Sequence, residues 1–339
     1  MRQAEGAESR ARYHRRACGT AVPAESPTSL PLPMLVRLAR QVCLLLAALF
    51  ALQWPSLAGA QGDARSMRGF LWEATRGTER VRLLGAMHLG RIESAATYRA
   101  DRPGLADVQV IAFEANVFDA QASLAAAQRW AMYPEEGPGL DAHVDPALLG
   151  RIEKLIARAG GGVPACCRMR PWMLANTLVM LEAMRAGLSP AYGSEAQLYQ
   201  FALSTGRPVV EIESIEEQLR LFAEAPADVQ VDYLRHTVET LEDGSGRAEI
   251  ERLVGAWERG DAAAMERLLD EMKRSDRAAQ RFVAERIVRG RHPKMIAAIE
   301  RFAGSGRLHL VAIGALHYFG PDGLLQLLRD RGYTVKRLQ

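Results

Sequence analysis

Short apolar runs of extended character recur along the chain after residue 69. Phe70–Thr75 and Arg80–Gly85 are separated by Gly77 and Thr78, a pattern that predicts a β-hairpin. Four further runs predict strands at Val108–Glu114, Pro208–Glu213, Leu308–Gly314 and Thr334–Leu338. The run Leu308–Gly314 is almost entirely apolar, which is typical of a central buried strand.

Helical periodicity fills most of the sequence between these runs. Asp145-Pro146 places a proline at a first helical position, and the segments that begin at Ser194 and Ser214 resemble capping boxes. Residues 215–303 are helical in pattern almost throughout, with breaks at Pro226, Gly244–Gly246, Gly260 and Gly290–Pro293. The pattern predicts an α/β fold, in which a mixed central sheet is flanked by helices and carries a helical insertion.

The first sixty residues follow a different pattern. Residues 1–33 are rich in Arg, Ala, Pro and Ser without periodicity, which indicates an over-extended start or a disordered extension before Met34. Residues 34–60 contain two arginines, the apolar run Val42–Leu52 and three small residues before Gln61, as in a signal peptide. A membrane anchor is the alternative, but it needs roughly 20 apolar residues. We expect an exported protein, periplasmic or secreted, with no stable membrane anchor.

Composition and charge narrow the class of protein. The 339 residues are 48% hydrophobic and 24% charged, an ordinary globular balance, and residues 61–339 contain no low-complexity linker, so we expect one domain there. The formal net charge is +3, but the first 61 residues carry seven Arg against three Glu, and the remainder has 36 basic and 37 acidic residues. The near-neutral domain argues against nucleic acid as a partner.

Cysteine usage adds little to this picture. Cys166 and Cys167 are adjacent, a spacing that fits neither a metal site nor a redox CxxC motif. We interpret them as structural, with a vicinal disulfide in an oxidising compartment as the alternative.

One short motif occurs twice, each time after an apolar strand. Gly85-Ala86-Met87-His88 follows the second strand, and Gly314-Ala315-Leu316-His317 follows the fifth. Glycine allows a tight turn at the strand end, so the histidine three residues later projects from the loop. A single motif of this kind arises often by chance, whereas two in the same context indicate a function.

Carboxylates occupy equivalent positions on two other strands. Glu114 ends the third strand and Glu213 ends the fourth, and ligands of open α/β sheets bind beyond the carboxyl ends of strands. Imidazole and carboxylate together are common ligands of catalytic divalent metals. A site with His88, His317 and Glu114 would make a bound water acidic enough to attack a carbonyl.

Structural interpretations stand beside these functional ones. Each strand-end histidine alone is compatible with a hydrogen-bonded structural role, Glu114 with a cap of the next helix, and Glu213 with its place before a capping box. His309 lies within the apolar strand and is predicted to be a core residue. Arg291-His292-Pro293 sits at a helix start.

Four segments resemble the TraB/GumN family, whose wider relatives include the Tiki proteins. The first motif is similar to a family opening that reads Gly-Thr-x-His-x-Gly, and the strand ending at Glu114 is similar to the strand with the family's Glu. Residues 191–219 are similar to a segment reading Tyr-Gly-x-Glu…Gly-Lys-Pro…Leu-Glu-Thr…Gln, and residues 311–338 to Gly-x-x-His-Leu-x-Gly…Gly-Leu…Leu…Gly-Tyr-x-Val. Ala86, Ala315 and Tyr318 depart from the pattern but spare both histidines. The family's Arg-Asn near residues 285–295 has no clear counterpart, although Arg286 or Arg291 matches the Arg.

The resemblance implies two related halves, one GxxH motif in each, that meet at a cleft. It also implies peptide cleavage that depends on a divalent metal, Mn or Co, with His88, His317 and Glu114 as ligands or Glu114 as general base. The ligand types add Zn as a candidate. Glu213, Tyr192, Gly85 and Gly314 would position these ligands or the substrate, which would be a peptide or a protein.

Two other functions compete with the hydrolase hypothesis. A non-catalytic protein that binds or sequesters a peptide would use the same cleft. A haem or metal carrier would need an axial ligand, for which Tyr318 beside His317 is the one hint. Nothing in the sequence specifies an oligomeric state.

Overall fold

The computed structural model describes residues 69–94, 104–158 and 167–339. The predicted N-terminal extension, the signal-peptide pattern and Cys166 lie outside the described residues, whereas Cys167 is described and buried. Within the described ranges, the protein has no helix with the length and apolarity needed to cross a bilayer.

A six-stranded mixed sheet forms the centre of the protein, in the order β4-β3-β5-β2-β1-β6. The strands are β1 (Phe70–Arg76), β2 (Glu79–Ala86), β3 (Val110–Phe113), β4 (Val209–Glu211), β5 (His309–Gly314) and β6 (Thr334–Arg337). Strands β4, β3, β5 and β2 pair in parallel, and β1 pairs antiparallel with both β2 and β6. The hairpin, all six strands and the central place of the apolar fifth strand are as the sequence predicts.

Helices cover both faces of the sheet. They are α1 (Ala120–Trp130), α2 (Pro146–Arg158), α3 (Pro171–Arg185), α4 (Ser194–Thr205), α5 (Ile215–Ala223), α6 (Ala227–Asp243), α7 (Ser245–Glu258), α8 (Ala262–Arg274), α9 (Ala278–Phe282), α10 (His292–Ala303) and α11 (Leu324–Asp330). Between α9 and α10 the chain continues as a π-helical segment, Val283–Val288, and a 3-10 turn, Arg289–Arg291. A π-helical segment is rare and often lies at a functional site.

Alternating strand residues build two separate cores, because successive side chains of a strand point to opposite faces. Trp72 and Leu83 pack on one face with Trp257 of α7, whereas Leu71 and Leu84 pack on the other face in the cluster that includes α4. The sheet is therefore buried from both sides, and its strand ends are left as the place for a site.

A third apolar cluster stands apart from the sheet. It joins α2, α3 and α6 through Leu148, Ile152, Leu178, Leu234 and Val238. The predicted helical insertion between the fourth and fifth strands is therefore completed by α2 and α3, which precede β4 in the chain.

One of the two predicted capping boxes differs in the structure. At the start of α5, Ser214 and Glu217 form the reciprocal pair of hydrogen bonds. Helix α4 instead has Gly193 as its N-cap, and the Ser194 hydroxyl bonds to the backbone N–H of Met87 at 2.7 Å. Ser194 is diverted from capping because the loop after β2 packs against the start of α4.

The indole of Trp257 fixes α7 to the sheet and provides a test of this core. Its Nε1 donates to the buried carbonyl of Gly85 at 2.7 Å, so Trp257→Phe should lower the free energy of unfolding by about 1–3 kcal/mol. Trp130→Phe is the matched control, since its Nε1 bonds to the exposed Glu216. Denaturant unfolding measures both variants, and equal losses would contradict this account.

Candidate functional site

Four of the residues singled out in the sequence follow four neighbouring strands. His88 lies after β2, Glu114 after β3, Glu213 after β4 and His317 after β5. Because these strands are parallel and adjacent, their carboxyl ends meet at one edge of the sheet. Ala86 pairs with Gly314 across β2 and β5, so the two GxxH motifs begin side by side.

Glu114 is the most heavily bonded of these side chains. Its Oε1 accepts from Gln218 Nε2 at 3.0 Å and from Arg291 at 2.5 Å, and its Oε2 accepts from the N–H of Gly314 at 2.9 Å. Burial alone would raise the pKa of Glu114, but Arg291, the Gly314 N–H and the charged His88 ring outweigh burial and lower it to about 2. Glu114 is therefore an ionised carboxylate held in one orientation.

Arg291 joins the two carboxylates of the site. Its guanidinium bonds to Glu213 Oε2 from both Nε, at 3.0 Å, and Nη2, at 2.7 Å, while Nη2 also reaches Glu114. The Arg291 side chain is 8% exposed and that of Glu213 4%. Burial opposes the charge of Arg291, but the two carboxylates raise its pKa, so the guanidinium stays charged. The ion triad links β3 and β4 to the start of α10.

His88 forms a second charged pair at the same edge. Its Nδ1 lies 2.8 Å from Glu195 Oε1, and 75% of the His88 side chain is exposed. The Glu195 carboxylate raises the pKa of His88 to about 9. The ring is thus held through Nδ1 and presents its other nitrogen, Nε2, for binding or proton transfer.

Close backbone packing holds the His88 loop. Gly90 and Ser189 exchange two backbone hydrogen bonds, at 3.1 and 2.8 Å, and Ser194 N–H bonds to the Met87 carbonyl at 2.8 Å. A Cβ on Gly90 would overlap the Tyr192 carbonyl, and one on Gly193 would overlap the His88 carbonyl. These glycines allow the start of α4 to place Glu195 against His88.

His317 and Glu114 meet over Gly314. A Cβ at Gly314 would lie 3.5 Å from both Glu114 Oε2 and His317 Cδ2, so the missing side chain leaves these two groups facing a common space. The His317 side chain is buried, and burial lowers its pKa to about 3, which outweighs the attraction of Glu114. His317 is therefore a neutral imidazole beside an ionised carboxylate.

Gly85, Tyr192 and Tyr318 lie in or beside the segments that carry the cluster, whereas His309 begins β5 at the opposite end of that strand. Gly85 sits in β2, where a Cβ would approach Phe70 Cβ to 2.9 Å, and Tyr192 lies in the turn before α4, where its carbonyl accepts from Gln197 at 2.6 Å. Tyr318 is buried against the Val311 carbonyl, and His309 stacks on a core phenylalanine.

The cluster contains three further residues that were not predicted from the sequence to belong to it. They are Glu195, Gln218 and Arg291. Glu195 and Gln218 fall on the Glu and the Gln of the central segment that resembles the family. Of the two arginines that match the family's Arg, Arg291 belongs to the cluster and Arg286 is exposed.

The chemical types of the three candidate ligands, one carboxylate and two imidazoles, suit a divalent cation. Glu114 is ionised, His317 is neutral, and His88 is held by a carboxylate, as metal-binding histidines commonly are. Within residues 69–94, 104–158 and 167–339, however, no three His, Cys, Asp or Glu side chains already form a ligand cluster. Binding of a cation would have to bring the three ligands closer together.

The fold and the cluster define a mixed α/β protein with paired GxxH motifs at the ends of neighbouring parallel strands. A comparison with protein families places the chain in the TraB/PrgY/gumN family, whose profile matches residues 70–337. The chain belongs to that family.

Individual relatives share much of its length at low identity. The chain is 24% identical over 262 residues to the uncharacterized protein YbaP of Escherichia coli (strain K12), which covers 75% of this chain and 89% of YbaP. The protein of that name from Shigella flexneri gives the same identity and coverage. No solved structure matches the chain.

Removal of Arg291 should destabilise the protein strongly. Arg291→Leu would leave two buried carboxylates unpaired, and we expect a loss of about 3–5 kcal/mol in the free energy of unfolding. Arg286→Leu removes an exposed arginine of the same segment and should change stability by less than about 0.5 kcal/mol. Similar losses in the two variants, measured by denaturant unfolding, would refute the role of the triad.

Acid should destabilise the protein through His317. Its pKa is about 3 in the folded protein against 6.5 ordinarily, so below pH 6.5 the unfolded chain binds a proton that the folded protein excludes. This costs about 2 kcal/mol between pH 6.5 and about pH 5. Glu114, lowered from 4.5 to about 2, adds a loss only at lower pH, and His88, with its raised pKa, contributes fully throughout this window.

The measurement is the free energy of unfolding at these two pH values. Burial also lowers the pKa values of His292 and His309, which add to the total loss. His317→Gln should therefore reduce the loss by about 2 kcal/mol, the share of His317, whereas the exposed His143→Gln should leave it unchanged. An unchanged pH dependence in His317→Gln would show that another group is responsible.

Proposed function

We propose that the protein is an exported, metal-dependent hydrolase that acts on peptide bonds, with His88, His317 and Glu114 as the ligands of the cation. The observation that carries this proposal is the meeting of an ionised carboxylate and a neutral imidazole over Gly314, beside the loop that ends in His88. Mn, Co and Zn all accept this combination of oxygen and nitrogen donors. Export is supported by the signal-peptide pattern of residues 34–60.

The depressed pKa of Glu114 supports the ligand role over the general-base role, the two that the sequence left open. A general base works best when its pKa lies near the working pH, and a carboxylate with a pKa of about 2 holds its proton too weakly. Glu114 is therefore assigned as a ligand, and its bonds to Arg291, Gln218 and Gly314 keep it oriented.

Glu195 controls the protonation of the His88 ring. To hold a cation, His88 would give up the Nε2 hydrogen that Glu195 otherwise stabilises on the ring. The Glu195 carboxylate then retains the Nδ1–H, which fixes the ring and increases its basicity as a ligand. A divalent cation bound there polarises a substrate carbonyl and lowers the pKa of water.

A binding or sequestering protein remains the second candidate, and one observation favours it. Glu114 already accepts three hydrogen bonds, and a carboxylate so saturated serves equally well as a fixed negative charge for recognition. Catalytic turnover separates this function from the first.

The test combines metal affinity with peptide hydrolysis. The protein should bind about one Mn²⁺, Co²⁺ or Zn²⁺ and then cleave members of a fluorogenic peptide library. His88→Ala, His317→Ala and Glu114→Gln should each lower metal affinity by at least about tenfold and abolish cleavage, because each removes one ligand. His143→Ala is the matched control, since this exposed histidine stacks on Tyr133.

Two outcomes would change the proposal. If the three variants bind the cation as tightly as the unaltered protein, the ligand assignment is wrong. If the protein binds the cation and binds peptides but cleaves none of them, a binding or sequestering function explains the protein better than a hydrolase.

A further inference from the structure

Two buried imidazoles lie in contact behind the candidate site. The ring centroids of His292 and His317 are 5.4 Å apart, with an angle of 63° between the planes. The two residues are 3% and 5% exposed. Each ring has one buried nitrogen without a hydrogen-bond partner, Nε2 of His292 and Nδ1 of His317. An unpaired buried polar atom is costly, so two on adjoining rings call for a common explanation.

The protonation of His292 follows from its other nitrogen. Nδ1 of His292 lies 2.8 Å from the backbone carbonyl of Asp322. A carbonyl oxygen only accepts hydrogen bonds, so Nδ1 must carry the hydrogen. Its other nitrogen, Nε2, is buried without a hydrogen-bond partner, so a second hydrogen there would place an unpaired charge in the interior. Its Nε2 is therefore an acceptor with a free lone pair.

The acceptor is held in place by the loop that precedes α11. The Asp322 side chain forms an ion pair with Lys273 of α8 at 3.0 Å, which restrains the residue whose carbonyl orients His292. The orientation of the His292 ring is thus fixed from outside the candidate site.

The unpaired nitrogen of His317 is complementary. The Cδ2 edge of the ring, next to Nε2, borders the space shared with Glu114 over Gly314. Nδ1 lies on the opposite edge of the imidazole. A hydrogen on Nδ1 would leave a lone pair on Nε2, directed toward the shared space, whereas the other tautomer would leave the lone pair on the buried side.

We infer that His292 is a positioning residue for His317: its Nε2 accepts the Nδ1–H of His317, directly or through one buried water, and so keeps the lone pair of His317 on Nε2. The bond satisfies both unpaired nitrogens at once. A bridging water suits two buried polar atoms that are close but not in direct contact. The inference rests on the proposed function only for its effect on catalysis, since the tautomer of His317 is a property of the protein itself.

The tautomer is measured by nitrogen-15 NMR of the histidine rings, near neutral pH and without added metal. His317→Gln identifies the signals of His317. In the unaltered protein, His317 should be protonated on Nδ1. His292→Phe removes the acceptor and should shift His317 toward protonation on Nε2, whereas His292→Gln retains an acceptor oxygen and should preserve the original tautomer.

His309 provides an internal control for folding. Its Nδ1 lies 2.9 Å from the Arg307 carbonyl, so it should remain protonated on Nδ1 in every variant. The inference is overturned if His317 carries its hydrogen on Nε2 in the unaltered protein. It is also overturned if His292→Phe leaves the His317 signals unchanged while the His309 signals show an intact fold.

The effect on activity gives a second readout. With a cleavable peptide in hand, His292→Phe should lower kcat about 10- to 100-fold with little change in KM, and His292→Gln should restore most of it. If no peptide is cleaved by any form of the protein, the proposed function fails and the tautomer result still decides the role of His292. If the tautomer responds as expected but kcat does not change, His292 orients His317 without a part in the reaction.

Discussion

The guanidinium of Arg291 connects parts of the protein that are far apart in sequence. It bonds to Glu114 after β3 and to Glu213 after β4, and it is itself delivered by the irregular helical turns that precede α10. Two buried carboxylates at one sheet edge would repel each other without a cation between them. This triad therefore allows acidic residues to follow adjacent buried strands, and the geometry of the whole candidate site depends on it.

The side chains at and beside that triad differ in charge. Glu114 is ionised and saturated with donors, while His317 beside it is kept neutral by burial. His88 stands at the exposed side and is paired with Glu195. The same edge of the sheet thus offers a fixed negative charge, a neutral imidazole and a charged imidazole.

The sheet was predictable from the sequence because its signals are local. Most of the strands lie in short apolar runs, and the near-continuous apolar character of Leu308–Gly314 indicated a central buried strand, which lies between β2 and β3 in the structure. The packing of α2 and α3 against α6 was harder to predict from the sequence, since it depends on contacts between residues distant in the chain. The capping box predicted at Ser194 does not form, because a backbone N–H from another loop bonds to the Ser194 hydroxyl.

The same distinction applies to the candidate site. His88, His317, Glu114 and Glu213 were found from the sequence because each follows a recognisable strand. Glu195 carries no such mark, as it is the second residue of a helix and reaches His88 only because Gly90 and Gly193 allow two backbones to touch. Arg291 was ambiguous because its burial depends on the π-helical segment before it, which has no recognisable sequence pattern.

The order of the strands also bears on how the chain reaches its folded state. β5 occupies the middle of the sheet, and β6 closes the far edge against β1, yet both come from the C-terminal end of the chain. The sheet is incomplete until residues from His309 onward are available, so most of its pairing connects segments distant in sequence and forms slowly. The two sides of the sheet, β4-β3 and β2-β1-β6, are therefore joined only when β5 pairs between them.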